Sequence, residues 1–331
     1  MRAWLQARWR RRPGAGADPA VRPLLAADEL QTLLRLAEQA PPRPPGGELP
    51  GGERPSPLRG HGLDFQELRR YQAGDDVRAM DWRTTARTGT PHIRLHHLEP
   101  RPCLYLLVDL GASMRFGTRV RLKAAQAARI AIHQALATVG EGGSVGAAVL
   151  GEDHPRQWPV RGGRGHALAL ARGLAAPCPP LESEATATGA AQLAALLAGL
   201  PRLLPAGAGI LVLSDLRWLD LEQAAALGRL AAGGRTVTVV RITDTAERSL
   251  PPMGRVPFRL PGSDRPLWLD TARPGVRAAF DAHAEARARD CRRWLSGAGV
   301  GLLELGAETP ARIWVRQLAG PGVPRAPRRH P

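Results

Sequence analysis

From residue 101 onward the chain alternates short apolar runs with longer stretches of helical period. "CLYLLVD" (103–109), "SVGAAVLG" (144–151), "AGILVLSD" (208–215) and "TVTVVRI" (236–242) are almost free of polar interruption, as strands covered on both faces are. Between them "RVRLKAAQAARIAIHQALATV" (119–139), "HALALARGL" (166–174), "AAQLAALLAGLPRLL" (190–204) and "LEQAAALGRLAAGG" (221–234) predict helices. An insertion at 243–272 carries two strand-like pieces, "RVPFRL" and "RPLWLD"; a helix at 274–296 and the strand "VGLLEL" (300–305) then close the series. Strands alternating with helices imply crossover connections. The expected fold class is therefore α/β, a mostly parallel sheet covered by helices on both faces.

The first hundred residues read differently. "AADELQTLLRLAEQA" (26–40) has helical periodicity behind an acidic start, and the Pro/Gly-rich stretch 41–57 breaks it as a loop or linker. Residues 58–100 are dense in charge and aromatics, with strand-like alternation in "TPHIRLHHLEP". The expected organisation is a basic tail (1–21), an N-terminal helix, linker and charged segment (22–100), an α/β domain (101–318), and a Pro/Arg-rich tail (319–331).

Composition changes this picture little. The net charge is +16, but only one of the 46 basic residues, Lys123, is lysine; abundant Ala, Gly and Pro alongside point to a GC-rich genome. The arginines are interspersed with acids except at the two tips, so solvated tails are favoured over nucleic-acid binding through an arginine-rich surface. Three cysteines lie far apart without a CxxC pair, which fits neither a disulfide framework nor a zinc site and suits a reducing cytoplasm. No window approaches a membrane span of about 20 apolar residues, leaving at most peripheral membrane contact near Trp4, Leu5 and Trp9.

Candidate chemistry gathers at strand ends, where open α/β sheets bind ligands. Asp109 ends the first buried strand, Ser113 follows it past two small residues, Asp215 ends another, and Thr186 and Thr188 precede a predicted helix. Hard oxygen donors of this kind suit Mg²⁺. The pattern resembles the metal-ion-dependent adhesion site of von Willebrand factor A domains, D-x-S-x-S followed by a distant Thr and a distant Asp. The resemblance implies Asp109, Ser113, Thr188 or Thr186, and Asp215 as metal ligands, but Gly111 stands where the pattern has its first serine, so any Mg²⁺ would be held weakly. The alternative is that Asp109 and Ser113 shape and cap a strand-to-helix turn.

Residues 59–100 narrow the resemblance. Gly60, Gly62, Asp64, Phe65, Arg69 or Arg70, Tyr71, Gly74, Asp75, Asp76, Arg78, Asp81, Trp82, Ala86, Arg87 and Glu99 resemble the signature of the domain of unknown function 58 family, which precedes a von Willebrand factor A-like domain. The resemblance extends over roughly residues 22–305. It implies no reaction, but it does imply a partner, a MoxR-type AAA+ ATPase, with an unknown client protein. Read as ions, Asp75, Asp76, Arg78 and Asp81 form either an internal charge network holding the segment against the sheet through Phe65, Tyr71 and Trp82, or a partner-binding surface.

Other chemistry is thin. His92 and His96 share one strand face while His97 and Glu99 take the other, which splits a would-be metal cluster. "GGRGHALALARG" (162–173) lacks the Walker lysine and reads as a turn. No nucleophile elbow or H-E-x-x-H pair occurs. The expectation is a non-catalytic binding module or adaptor rather than a hydrolase-type α/β enzyme.

Overall fold

The structure is a computed structural model that describes residues 23–39, 59–72, 77, 80–97, 101–151, 156–176, 186–258 and 266–319. It divides into two compact units. Of the described residues, one unit holds those from 59 to 101, and the other holds those from 102 to 319 together with the N-terminal helix α1 (Ala27–Glu38). The sequence groups α1 with the charged segment, but its contacts are with the α/β unit: Leu33 is fully buried there and Glu29 meets Arg129 at 3.0 Å.

The smaller unit is a two-stranded antiparallel hairpin, β1 (Arg59–Arg70) with β2 (His92–His97), and the short helix α2 (Trp82–Thr88) between them. Asp81 caps α2 by accepting from the Thr84 amide at 2.9 Å, and Gly89, at φ 70°, ends it. Trp82, expected as a packing anchor, is 68 % exposed. Gly74, Asp75, Asp76 and Arg78 lie outside the described residues.

In the larger unit six strands run in the order β10-β7-β6-β3-β4-β5: β3 (Cys103–Asp109), β4 (Ser144–Leu150), β5 (Gln157–Gly162), β6 (Gly209–Ser214), β7 (Thr236–Thr243) and β10 (Gly301–Gly306). All neighbours are parallel except β4 with β5. The edge strand β5 was not foreseen: it is short and contains Pro159, which an edge position tolerates. The insertion forms its own hairpin, β8 (Arg255–Phe258) with β9 (Leu267–Asp270).

Period-two alternation along β3 builds both cores. Leu104, Leu106 and Val108 join α3 (Lys123–Gly140), α4 (Arg164–Ala175) and Leu33 on one face. Tyr105 and Leu107 join α5 (Thr186–Leu203), α6 (Leu221–Ala232) and α7 (Pro274–Gly297) on the other. Because α3 is covered by α1 and α4 as well as the sheet, it is buried nearly all round. A further helix, α8 (Ala311–Ala319), was not foreseen either; its Trp314 is fully buried, edge-on to His133 of α3 at 5.3 Å.

Candidate functional site

Parallel pairing of β3 with β6 brings their carboxyl ends side by side, so Asp109 and the Ser214-Asp215 pair occupy neighbouring positions on one edge of the sheet. Asp109 is 4 % exposed. Its Oδ1 accepts from the Gly111 amide at 3.0 Å, and its Oδ2 accepts from Ser214 Oγ at 2.6 Å and Trp218 Nε1 at 3.1 Å. Burial and then the neighbouring Asp215 charge push the Asp109 carboxyl up to about 6, against the lowering effect of those three donors.

The loop after β6 is held in an unusual conformation. Leu216 is fully buried at φ 63°, a left-handed conformation costing roughly 1–3 kcal/mol for a side chain of this kind. Three contacts hold it: the Leu216 amide donates to Ser214 Oγ at 3.0 Å, and Arg287 Nη2 donates to the Leu216 and Leu219 carbonyls at 2.6 Å each. The result aims the Trp218 indole N–H at both Ser214 Oγ (2.9 Å) and Asp109.

Asp215 has a different kind of partner. Lys123, the first residue of α3 and fully buried, donates from Nζ to Asp215 Oδ2 at 2.7 Å and to Glu247 Oε1 at 2.6 Å. Glu247 sits in the single turn Thr245–Arg248 after β7, where its other oxygen accepts from the Asp244 amide at 3.0 Å. Asp244 in turn accepts from both the amide and the hydroxyl of Thr118. Burial works against the Asp244 carboxylate, yet these Thr118 bonds, the Ala246 amide and the Lys123 charge together hold it below its usual range. The first turn of α3, the end of β6 and the turn after β7 thus converge through one ammonium group.

The connection between the short turn Ala112–Arg115 and α3 borders this edge and is tightly folded. The Lys123 amide donates to the Phe116 carbonyl at 2.9 Å, and a side chain at Gly117 would lie 2.2 Å from the Arg121 carbonyl oxygen. Arg121 reaches Gln126 and the Ala307 carbonyl. Yet Phe116, Val120 and Leu122 are 40 %, 64 % and 38 % exposed.

Of the residues singled out in the sequence, Asp109 and Asp215 stand together, and Ser113 is half-buried on the turn after β3. Thr186 and Thr188 fall inside the first turn of α5 rather than ahead of it, and their side chains lie outside the described residues. Lys123, Ser214, Trp218 and Glu247 were missed as site residues; the visible signal was the lone lysine.

Residues 67–290 match the family described as "Protein of unknown function DUF58". The chain belongs to this family. Two relatives are the uncharacterized proteins Mb1516 of Mycobacterium bovis and Rv1480 of Mycobacterium tuberculosis, each 29 % identical over 267 residues covering 79 % of either chain. Similar solved structures include an aerotolerance-related membrane protein from Bacteroides fragilis (16 % identity, TM-score 0.40, 65 % of this chain and 97 % of that one) and the SpRpn10 VWA domain (12 %, 0.35, 68 % and 99 %). The fold is α/β, a mostly parallel six-stranded sheet with helices on both faces. Among the described residues no helix of this DUF58 chain is long and apolar enough to cross a membrane.

A divalent cation is what the resemblance to the adhesion pattern implies at the strand ends, and the donors present fit one poorly. Asp109 already accepts three protein hydrogen bonds of the roughly four a carboxylate can take. Asp215 Oδ2 is engaged by an ammonium. A side chain at Gly111 would start 3.1 Å from Asp109 Oδ1 and 3.4 Å from the Gly151 Cα, because the loops after β3 and β4 touch there, so the serine of the adhesion pattern has little room. Among the described residues, no three His, Cys, Asp or Glu side chains are grouped to hold a metal ion.

Proposed function

We propose that this DUF58 chain is a non-catalytic binding module that works with a MoxR-type AAA+ ATPase and a client protein, and that it meets its partner at the carboxyl edge of the sheet through the loop Phe116–Leu122. The observation that carries the reading is the contrast at that edge. The carboxylates and the lysine are all engaged with internal partners, whereas the neighbouring loop holds three apolar side chains out to solvent on a backbone fixed by internal bonds. Ordering a loop before binding lowers the entropic cost of association. Clustered exposed apolar residues mark interaction sites more often than scattered ones do. Arg119, exposed within the same loop, suits a partner surface in which an apolar pocket is flanked by acidic side chains.

Catalysis at this edge would need a base or nucleophile poised towards a substrate. Asp109 and Asp215 are instead turned to internal donors, which favours the binding module over a hydrolase.

The test is binding of the purified ATPase to the wild-type chain and to Val120→Asp and Phe116→Asp. Loss of binding by at least about tenfold, the consequence of removing a central apolar contact worth roughly 1.4 kcal/mol, is expected in both, with folding unchanged by circular dichroism. Undiminished binding in both would reject this surface, and the signature residues Asp75, Asp76, Arg78 and Asp81 would be the next to vary.

A further inference from the structure

We infer that Lys123 supplies, from within the chain, the positive charge that a divalent cation would bring to this edge, and that the edge consequently takes no such ion. The inference stands apart from the identity of the partner.

Four observations converge on it. First, Lys123 is fully buried with its ammonium 2.7 Å from Asp215 and 2.6 Å from Glu247, so two carboxylates from two different strand ends are gathered by one internal cation. Second, the lysine opens α3, where the helix dipole disfavours a positive charge. A cation is retained there because the carboxylates outweigh the dipole at contact distance. Third, the chain uses arginine at its other 45 basic positions (46 minus Lys123). An ammonium is a compact charge with three rotatable donors, whereas a planar guanidinium needs a broader, coplanar set of acceptors, so a buried point contact with two carboxylates selects lysine against the bias of the rest of the sequence. Fourth, the hydroxyl that the adhesion pattern places beside the first aspartate is replaced by Gly111, packed against Gly151, whose own φ is 73°. A site that lost its ion would keep neither the ligand nor the room for it, and would need another source of charge. That is the arrangement seen.

The functional consequence is an edge that is assembled permanently. A metal-bridged site is complete only when the ion and a visiting ligand are both present. Here the loops after β3, β6 and β7 are tied to α3 without either, so partner binding is expected to ignore chelators.

The experiment uses the full chain, with Mn²⁺ as probe read by loss of the free-ion electron paramagnetic resonance signal, and thermal melting in Mn²⁺ or in EDTA alongside. Wild type should take up no more Mn²⁺ than Asp215→Asn and should melt at the same temperature in both buffers. Lys123→Ala, with its carboxylates uncompensated, should gain Mn²⁺ uptake and a melting point raised by Mn²⁺, and Lys123→Ala/Asp215→Asn should lose both. Mn²⁺ uptake by the wild type that Asp215→Asn abolishes would overturn the inference. So would a folded Lys123→Ala that takes up none, since the ammonium would then not be what holds the ion's place. Should Lys123→Ala fail to fold, the wild-type comparison decides alone.

Discussion

Two carboxylates stand at the carboxyl ends of neighbouring parallel strands, Asp109 bonded to Ser214 and Asp215 the residue next to that serine, and the protein treats them in opposite ways. Asp109 is surrounded by neutral donors, an amide, a hydroxyl and an indole, and is left with its affinity for protons raised. Asp215 is met by a full positive charge shared with Glu247. Neutral dipoles soften the loss of water without cancelling charge; an ammonium cancels it but must itself be buried. The comparison teaches that one strand edge can solve the same desolvation problem once by polarity and once by charge, and that the second solution ties distant elements together because the counter-ion comes from another part of the chain.

The largest effect is expected on the charged side. Lys123→Met keeps the length of the side chain and removes only the ammonium, which leaves Asp215 and Glu247 facing each other without compensation. Breaking a buried pair from one side costs about 3–5 kcal/mol, so denaturant unfolding should show a loss of unfolding free energy of that size. Because Glu247 is partly exposed, with 26 % of its side chain accessible, water can relieve part of the charge and the lower figure is the better expectation. A shift below about 1 kcal/mol, the range of exposed ion pairs, would show that the two solutions are not distinct in kind.

A smaller effect belongs to the neutral side. Trp218→Phe removes one donor from Asp109 and preserves most of the apolar volume; hydrogen bonds to a charged group are worth about 1.5–3 kcal/mol. The loss should come in at the low end, because the indole N–H is shared with Ser214 Oγ and Ser214 still donates at 2.6 Å. Asp109→Asn measured beside it sharpens the point: combined with Trp218→Phe it should lose less than the sum of the two, since the lost bond is common to both.

How much of this was legible in the sequence follows the same divide. The strands showed themselves because parallel strands buried on both faces are continuously apolar, and Asp109 and Asp215 stood out as the polar residues that end such runs. What could not be read was which charge meets which. Lys123 and Asp215 are 92 residues apart, and Lys123 and Glu247 are 124 apart; no local spacing encodes either contact. The lone lysine was visible, but it reads as a trace of codon usage until a fold puts it between two acids. Trp218 was hidden for another reason: its role depends on the left-handed turn at Leu216, a conformation no sequence rule assigns to leucine. β5 was missed because its proline argues against a strand, and α8 because a nine-residue amphipathic stretch after the last strand is too short to stand out. Asp81, expected in an ionic network or on a partner-binding surface, is found as a helix cap, a role its position before Trp82 and the following threonines permits.

The last comparison is on pH, and it sets Asp109 against Asp244. Asp109 titrates near 6 in the folded protein and near the ordinary value of 3.8 when unfolded. Between those values the folded state binds the additional proton, so the Asp109 contribution to stability is full below about pH 4 and is lost as the pH rises through about 6. Asp244, held below its ordinary value chiefly by Thr118 against the effect of burial, acts with the opposite sign: its contribution is present above pH 3.8 and disappears as the pH falls through its depressed folded value. Asp109→Asn should therefore flatten the fall in stability across pH 4 to 6 while leaving the acid limb unchanged, and Thr118→Val should weaken the protection on the acid limb and leave the 4 to 6 window alone. Urea unfolding at half-unit pH steps distinguishes them. If Asp109→Asn leaves the 4 to 6 window as steep as in the wild type, Asp109 is already ionised in the fold, and the three neutral donors offset its burial.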